Sequence, residues 1–299
     1  MRVLRRDGSS LERTMSSYPG PASVVLFSLR GIQTTRYTRL ASNGIIFYEQ
    51  LITFDREVTT IWKSKWTFVK ILFLVNRYYG LASAIFNTYA FFSPTLSNEV
   101  SFRYYQWEGW TGLLGCMLAD IILQMRIYAL YSKSKIVTGL IAASFLLCFS
   151  ASGFMMGFGL KGLSATAYDI VGGKFCLTER VPGHFYVFWL PMLAFEVLLC
   201  VLAMVRAYKS YHESGRMIYG QRLFDILIRD SLLYFLAIGL TYLTCFVVWI
   251  LEPNILIEAP IGFSLAISCT LSSRMILNLR NANEQETQQE VFIPLKVVK

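Results

Sequence analysis

Long apolar runs separated by short polar segments are the feature that most constrains how this chain can fold. A bilayer core is about 30 Å thick, so a helix needs roughly 20 mostly apolar residues to cross it. Six runs reach that length: residues 67–92, 107–131, 137–160, 184–208, 230–251 and 260–279. They are far longer than the strands of a membrane barrel and do not alternate. The sequence therefore predicts an all-α fold, a polytopic membrane helical bundle.

A further candidate span, residues 37–54, is weaker than the other six. Polar or charged residues interrupt it at four positions: Arg39, Asn43, Glu49 and Gln50. If it crosses, the bundle has seven transmembrane helices. It would be preceded by a basic, disordered segment (1–36) and followed by a polar, disordered cytosolic tail (281–299).

The distribution of Lys and Arg predicts the orientation of the bundle, because cytosolic loops are enriched in these residues. Loops 55–66, 132–136 and 209–229, together with the tail 280–299, hold 12 Lys and Arg, and the alternate loops hold 4. With seven spans the N-terminus lies outside and the C-terminus in the cytosol. The six arginines of the first 36 residues favour the opposite side. A start at Met15 would remove four of them.

Composition excludes several classes of function. The net charge of +9 could indicate nucleic-acid binding in a soluble protein, but here the basic residues crowd the loops, as expected beside an anionic leaflet. Two histidines, His184 and His212, are too few for a hydrolytic three-histidine zinc site. No HExxH, GxSxG, P-loop or GxGxxG motif is present. We therefore expect no enzyme activity, no cofactor, no metal and no nucleic-acid partner. The lipid bilayer is the predicted environment.

Ionisable residues inside the spans are the best pointers to function, because they are costly in a membrane and normally paired. At about 1.5 Å rise per residue, three of them lie near the middle of the bilayer: Arg77, Asp120 and Glu196. Three others lie closer to the cytosol: Glu49, Arg126 and Arg274. We expect Arg77 to pair with Asp120 or Glu196, and Glu49 to pair with Arg126 or Arg274. These pairs could be structural clasps, a two-state switch or part of an ion path.

Two backbone features could shape the bundle. Pro191 lacks an N–H group and is predicted to kink the fifth apolar helix, five residues before Glu196. Gly109, Gly112 and Gly115 allow a close approach of the third apolar segment to its neighbours.

Several blocks of sequence resemble one family of membrane proteins. They are residues 48–58 (YEQLITFDREV), 70–78 (KILFLVNRY), 126–131 (RIYALY), 189–200, 229–236 (RDSLLYFL) and 273–280 (SRMILNLR). The chain resembles, through these blocks, a family of integral membrane proteins that is abundant in basidiomycete fungi and catalogued as a domain of unknown function. The resemblance implies seven helices and an outer N-terminus, and it implies no catalytic residue.

Three functions are compatible with these features. The leading hypothesis is a receptor-like protein that senses an unidentified ligand outside and contacts a cytosolic signalling partner through loop 209–229. A transporter or channel with a central polar site is the alternative, and a non-catalytic membrane scaffold is the third. The sequence places the protein in the plasma membrane or an internal membrane.

Overall fold

The protein is described here from a computed structural model, which covers residues 21–92, 98–131, 134–162, 164–170, 173–180, 183–213, 220–251 and 257–296. Within these ranges the chain forms seven long helices, α1 to α7. Their bounds are Pro21–Glu57, Phe68–Phe92, Asn98–Leu130, Lys135–Lys161, Trp189–Glu213, Gly220–Leu251 and Glu258–Lys296. Six of them, α2 to α7, are long and apolar enough to cross a membrane. The predicted polytopic helical bundle is confirmed at this level.

The segment between α4 and α5 contains two strands, which the sequence analysis treated as a loop. Strands β1 (Ser164–Ile170) and β2 (Gly173–Arg180) pair antiparallel, with an irregularity in register between Ser164 and Ala165. β1 packs against α3. The end of the bundle that carries this hairpin is called the hairpin end below. The opposite end, where α1 meets α2, is called the turn end.

Helical structure extends further at several termini than the apolar runs predict. The first helix begins at Pro21, so residues 21–36 are helical where a disordered segment was expected, and residues 1–20 lie outside the described part. The last helix continues to Lys296, through most of the tail that was expected to be disordered. At the loop 209–229, α5 runs to Glu213 and α6 starts at Gly220. An apolar run gives the length of the part of a helix that crosses the hydrocarbon core. It therefore underestimates the length of a helix that continues beyond that core.

The first helix packs in the bundle with its polar residues turned inward. Arg39, Glu49 and Glu57 are buried, whereas Tyr48 and Leu51 on the opposite side are 63% and 77% exposed. The helix packs against α7 and α2. Gly262 of α7 enables this contact, because a Cβ there would lie 2.5 Å from the Ser42 Oγ. A hydropathy average cannot recognise such a helix, because the buried charges cancel its apolar outer face.

The centre of the bundle is lined by polar groups of α7. The Asn76 side chain of α2 donates to the Cys269 carbonyl at 3.1 Å and to the hydroxyls of Ser272 and Ser273 at 3.0 and 3.1 Å. Beside it, Gly80 approaches Cys269, which leaves only 3.3 Å for an added Cβ. Close backbone approach and interhelical hydrogen bonds are the usual means of holding helices together in lipid.

Candidate functional site

The predicted pairing near the turn end is found for Glu49 and Arg274. The Arg274 Nε and NH2 groups donate to the two Glu49 carboxylate oxygens at 2.7 and 2.6 Å, a bidentate pair that links α1 to α7. The Glu49 side chain is buried, but that of Arg274 is 43% exposed. Arg126, the other expected partner, is half-buried near the same end of α3.

The expected partners of Arg77 are wrong. Its Nε lies 2.6 Å from Glu57 Oε2, and its NH2 group donates to the Gln50 carbonyl at 3.1 Å. Both side chains of the Arg77–Glu57 pair are almost fully buried. Glu57 was assigned to a loop, but the last turn of α1 carries it inward. The other Glu57 oxygen accepts from Trp62 Nε1 at 2.9 Å and from the Tyr78 hydroxyl at 3.0 Å.

The connection between α1 and α2 is held by two cations that the sequence analysis did not single out. A π-helical turn, Val58–Trp62, extends α1. Lys70 then donates to the carbonyls of Trp62 and Ser64 at 3.0 and 2.9 Å. From α7, Arg280 donates to the Thr60 carbonyl at 3.3 Å and to the Ser64 hydroxyl at 2.5 Å. The connection between α1 and α2 is therefore held by several hydrogen bonds to its backbone and side chains.

Asp120 of α3 and Glu196 of α5 meet in the middle of the bundle. Their side chains lie within hydrogen-bonding reach of each other, and both residues are almost completely buried. Among the described residues, no N–H or hydroxyl donor satisfies any of their four carboxyl oxygens. Tyr242 of α6 lies beside the pair and contacts Cys116, and its hydroxyl is 3.3 Å from Ser268 Oγ. The structure thus brings together two of the three central charges predicted from the sequence, with Arg77 paired elsewhere.

Towards the hairpin end, a third charged group joins α1, α3 and α7. Arg39 pairs with Glu108, and its NH2 atom lies 3.9 Å from Glu258 Oε2. All three residues are buried. In the sequence, Arg39 appeared only as an interruption of a weak span. Glu108 lay at the start of the span 107–131, and Glu258 lay in the loop before the span 260–279. The sequence could have indicated a partner for Arg39, because a buried Arg in a span needs a nearby carboxylate.

Pro191, which was predicted to kink the fifth apolar helix, lies at the start of α5 and not in its interior. A short 3-10 helix, Phe185–Phe188, precedes α5, which starts at Trp189. Pro191 therefore lies in the first turn of the α-helix, where a missing backbone N–H costs no helical hydrogen bond.

A cavity opens between α3, α4, α5, α6 and α7 in the half of the bundle nearer the hairpin end. The volume open to the centres of water molecules is about 70 Å³. Its lining is largely apolar and aromatic, and includes Leu113, Met156, Phe188, Trp189, Met192 and Trp249. The rings of Trp189 and Trp249 are perpendicular, with centroids 5.7 Å apart. Glu108, Glu258 and Ser264 supply polar groups.

The acidic pair lies next to the cavity, on the side that faces the turn end. Cys116 and Met192 line the cavity. Each is four residues before an acidic residue on the same helix, Asp120 on α3 and Glu196 on α5. Residues four apart share a helix face and differ in height by about 6 Å. The cavity and the buried carboxyl groups are therefore separated by a single helical turn on two helices.

Glycines on α3 make room for the cavity. Gly112 lines it, and a Cβ at this position would meet no atom within 4 Å. Gly109 also lines it, although a Cβ there would lie 2.9 Å from Met156 Sδ. The glycine cluster predicted to permit close helix approach does so at Gly115, where a Cβ would collide with Leu265.

A sequence profile described as a family of unknown function (DUF6533) matches residues 37–82. No curated protein matches the chain. The matched segment includes most of α1, the turn and the first half of α2, and thus Glu49, Glu57 and Arg77. Two of the resemblance blocks, residues 48–58 and 70–78, lie inside it. The six apolar helices indicate a multi-pass helical membrane protein, and the match relates residues 37–82 to a family of unknown function.

Proposed function

We propose that α1 is a seventh transmembrane span. Its inward charges are paired with Glu108, Arg77 and Arg274 on neighbouring helices, and its outward residues are the apolar ones expected against lipid. The helix has 37 residues, so it is about 55 Å long and exceeds the thickness of the hydrocarbon core. The resemblance to a fungal seven-helix family, whose blocks run from residue 48 to residue 280, supports the same number of spans.

The turn end then faces the cytosol and the hairpin end faces outward. The excess of Lys and Arg in the loops of the turn end supports this orientation, 12 against 4. Residues 1–20 would lie outside and the extension of α7 inside. The outer half contains the cavity and the Arg39–Glu108–Glu258 group, and the cytosolic half contains the Glu49–Arg274 and Glu57–Arg77 pairs.

The function that these features support best is a receptor-like protein without catalytic activity. A ligand enters the outer cavity, and its presence alters the packing of α3 against α5. A partner binds at the cytosolic ends of α5 and α6, around residues 209–229. The observation that carries this proposal is the position of Cys116 and Met192, which connect the cavity floor to Asp120 and Glu196.

The acidic pair is suited to a change of state. Two ionised carboxylates in contact within hydrocarbon surroundings repel each other strongly, so we infer that Asp120 and Glu196 share a proton. A shift of α3 relative to α5 would break that contact and leave one acid without a partner. The arrangements with and without the Asp120–Glu196 contact therefore differ in energy, because only the first gives both acids a partner. Such a difference is what a two-state element requires.

Proton transport is the second candidate, and the same pair favours it. Buried carboxyl groups near the centre of a bundle are the usual elements of proton relays. Arg77 does not belong to this central site, because it pairs with Glu57. A scaffold is the third candidate, in which every charged pair only fixes the order of the helices.

Proton flux into liposomes distinguishes the first two candidates. Purified protein is reconstituted around a trapped pH-sensitive dye, and a pH gradient is applied. The receptor proposal predicts the same leak as empty liposomes for the wild type. A flux that disappears in Asp120→Asn and Glu196→Gln, and persists in the exposed-acid control Asp55→Asn, would establish transport instead.

A cavity-filling variant distinguishes the receptor from the scaffold. In Gly112→Leu the added side chain occupies the cavity like a ligand, since a Cβ at this position meets open space. A fluorophore attached at Lys209→Cys, on the exposed cytosolic part of α5, reports the change. The receptor proposal predicts a spectral shift in Gly112→Leu and none in Gly139→Leu, a control on α4 with equal open space. Identical spectra in both variants would favour the scaffold.

A further inference from the structure

The aromatic wall of the cavity contains a hydrogen-bond donor without an acceptor. Trp189 is 3% exposed, and among the described residues its Nε1 group has no hydrogen-bond partner. The neighbouring Trp249 differs, because its Nε1 donates to the Ile257 carbonyl at 3.1 Å. Both residues line the cavity. A buried donor that lacks a partner is energetically unfavourable, so an acceptor supplied from the cavity is favoured.

The remaining lining restricts the rest of the ligand. Phe185, Phe188, Met192 and Leu113 offer only apolar contacts along the wall. The carboxylates that reach the cavity, Glu108 and Glu258, are within ion-pair distance of Arg39. A ligand that lies against this wall therefore gains mainly from burying apolar surface.

The size of the cavity sets an upper limit on the ligand. A volume of 70 Å³ for the centres of water molecules corresponds to about five to seven waters at 10–15 Å³ each. A single aromatic ring with a short substituent fits this space, whereas an acyl chain of membrane-lipid length does not.

We propose that the cavity binds small, uncharged, mostly apolar molecules that carry one hydrogen-bond acceptor, such as a ketone or ester oxygen, which accepts from Trp189 Nε1. This inference rests on the proposed receptor function, and it names the chemical class of the ligand. It also gives the two tryptophans different roles. Trp189 selects the acceptor, and Trp249 provides only a ring.

The proposal is tested with three probes of nearly equal shape: acetophenone, isopropylbenzene and 1-phenylethylamine. The first carries an acceptor, the second has no polar atom and the third is a cation at neutral pH. Binding to the full chain in lipid nanodiscs is measured by saturation-transfer NMR titration at millimolar concentrations. We expect acetophenone to bind about five-fold more tightly than isopropylbenzene, the value of one additional hydrogen bond of roughly 1 kcal/mol. The amine should bind more weakly than either.

Two tryptophan variants test the assigned donor. Trp189→Phe keeps an aromatic ring and removes the N–H group, so the preference for acetophenone should fall to about equality with isopropylbenzene. Trp249→Phe is the matched control, because the lost N–H group was already bonded to Ile257, and the preference should persist. Equal loss in both variants, or a preference that survives in Trp189→Phe, would overturn the assignment.

Failure of the ligand class can be distinguished from failure of the proposed function by filling the cavity. If the amine or isopropylbenzene binds best, and Gly112→Leu abolishes that binding while Gly139→Leu does not, the cavity is a ligand site and the proposed class is wrong. If none of the probes binds, or if Gly112→Leu binds them as the wild type does, the cavity is not the site. Both the ligand class and the receptor function would then be rejected.

Discussion

The Glu57–Arg77 pair should be the most sensitive ionic contact in the bundle. In the variant Glu57→Gln, the amide oxygen can still accept from Trp62 Nε1 and the Tyr78 hydroxyl, but the negative charge is lost and an NH2 donor replaces the oxygen beside Arg77 Nε. Arg77 would keep its hydrogen bond to the Gln50 carbonyl and would remain cationic and buried. The variant therefore measures the cost of leaving a buried guanidinium without its carboxylate partner.

The magnitude follows from burial. Removing one partner of a buried ion pair costs about 3–5 kcal/mol, and the bonds that remain to Arg77 point to the lower value, about 3 kcal/mol. The matched control is Glu49→Gln, which also breaks a pair between α1 and another helix. Because the Arg274 side chain is 43% exposed and lies towards the turn end of α7, the released cation can extend to the membrane interface, and the expected cost is smaller, about 1 kcal/mol.

The assay is reversible unfolding of the purified protein in mixed micelles, with helix content followed as the denaturing detergent increases. The double variant Glu57→Gln with Arg77→Met should recover most of the loss, because an apolar replacement of a buried pair is often nearly neutral. The reasoning is refuted if Glu57→Gln and Glu49→Gln destabilise equally, or if the double variant is less stable than Glu57→Gln alone.

Two further predictions concern the interior. Asp120→Asn or Glu196→Gln replaces the shared proton with an amide donor beside the remaining acid, so the free energy of unfolding should stay within about 1 kcal/mol of the wild type in the same assay. A larger loss of stability would contradict the described contact. A side chain at Gly159 would collide with Phe185, so Gly159→Leu should lower the free energy of unfolding by about 1–3 kcal/mol. Gly139→Leu, where the added side chain meets open space, should lower it little. Equal stability of the two variants would show that α4 packs differently.

The level of Asp120 and Glu196 along the bundle could be predicted from the sequence, whereas the position of a residue around its helix could not. Counting residues from the span ends placed Arg77, Asp120 and Glu196 in one layer, and two of them do meet. The count carries no information on which helices are neighbours. Arg77 faces α1, and the three-residue extension of that helix beyond the predicted end at residue 54 brings Glu57 to it.

The cavity was beyond sequence analysis for a related reason. It depends on the absence of side chains at Gly112 and on aromatic residues contributed by α5 and α6, far apart in the chain. Each residue alone is ordinary for a membrane helix. The unpartnered Trp189 N–H is likewise a property of three-dimensional packing, since Trp249, also a membrane-helix tryptophan, finds a carbonyl.

The helical run of residues 21–57 could have been anticipated only in part. Residues 37–54 were a weak candidate span because Arg39, Asn43, Glu49 and Gln50 interrupt them. Arg39 and Glu49 are the charges that pair inside the bundle, so the feature that weakened the prediction is what attaches the helix.

The most direct test of the account is the location of the two termini. Epitope tags are placed before residue 1 and after residue 299 in a yeast host, and antibody access is measured before and after permeabilisation. The account predicts an N-terminal tag that is accessible on intact cells and a C-terminal tag that becomes accessible only after permeabilisation. If both tags are hidden until permeabilisation, α1 does not cross the membrane, and the seven-span receptor proposal is contradicted.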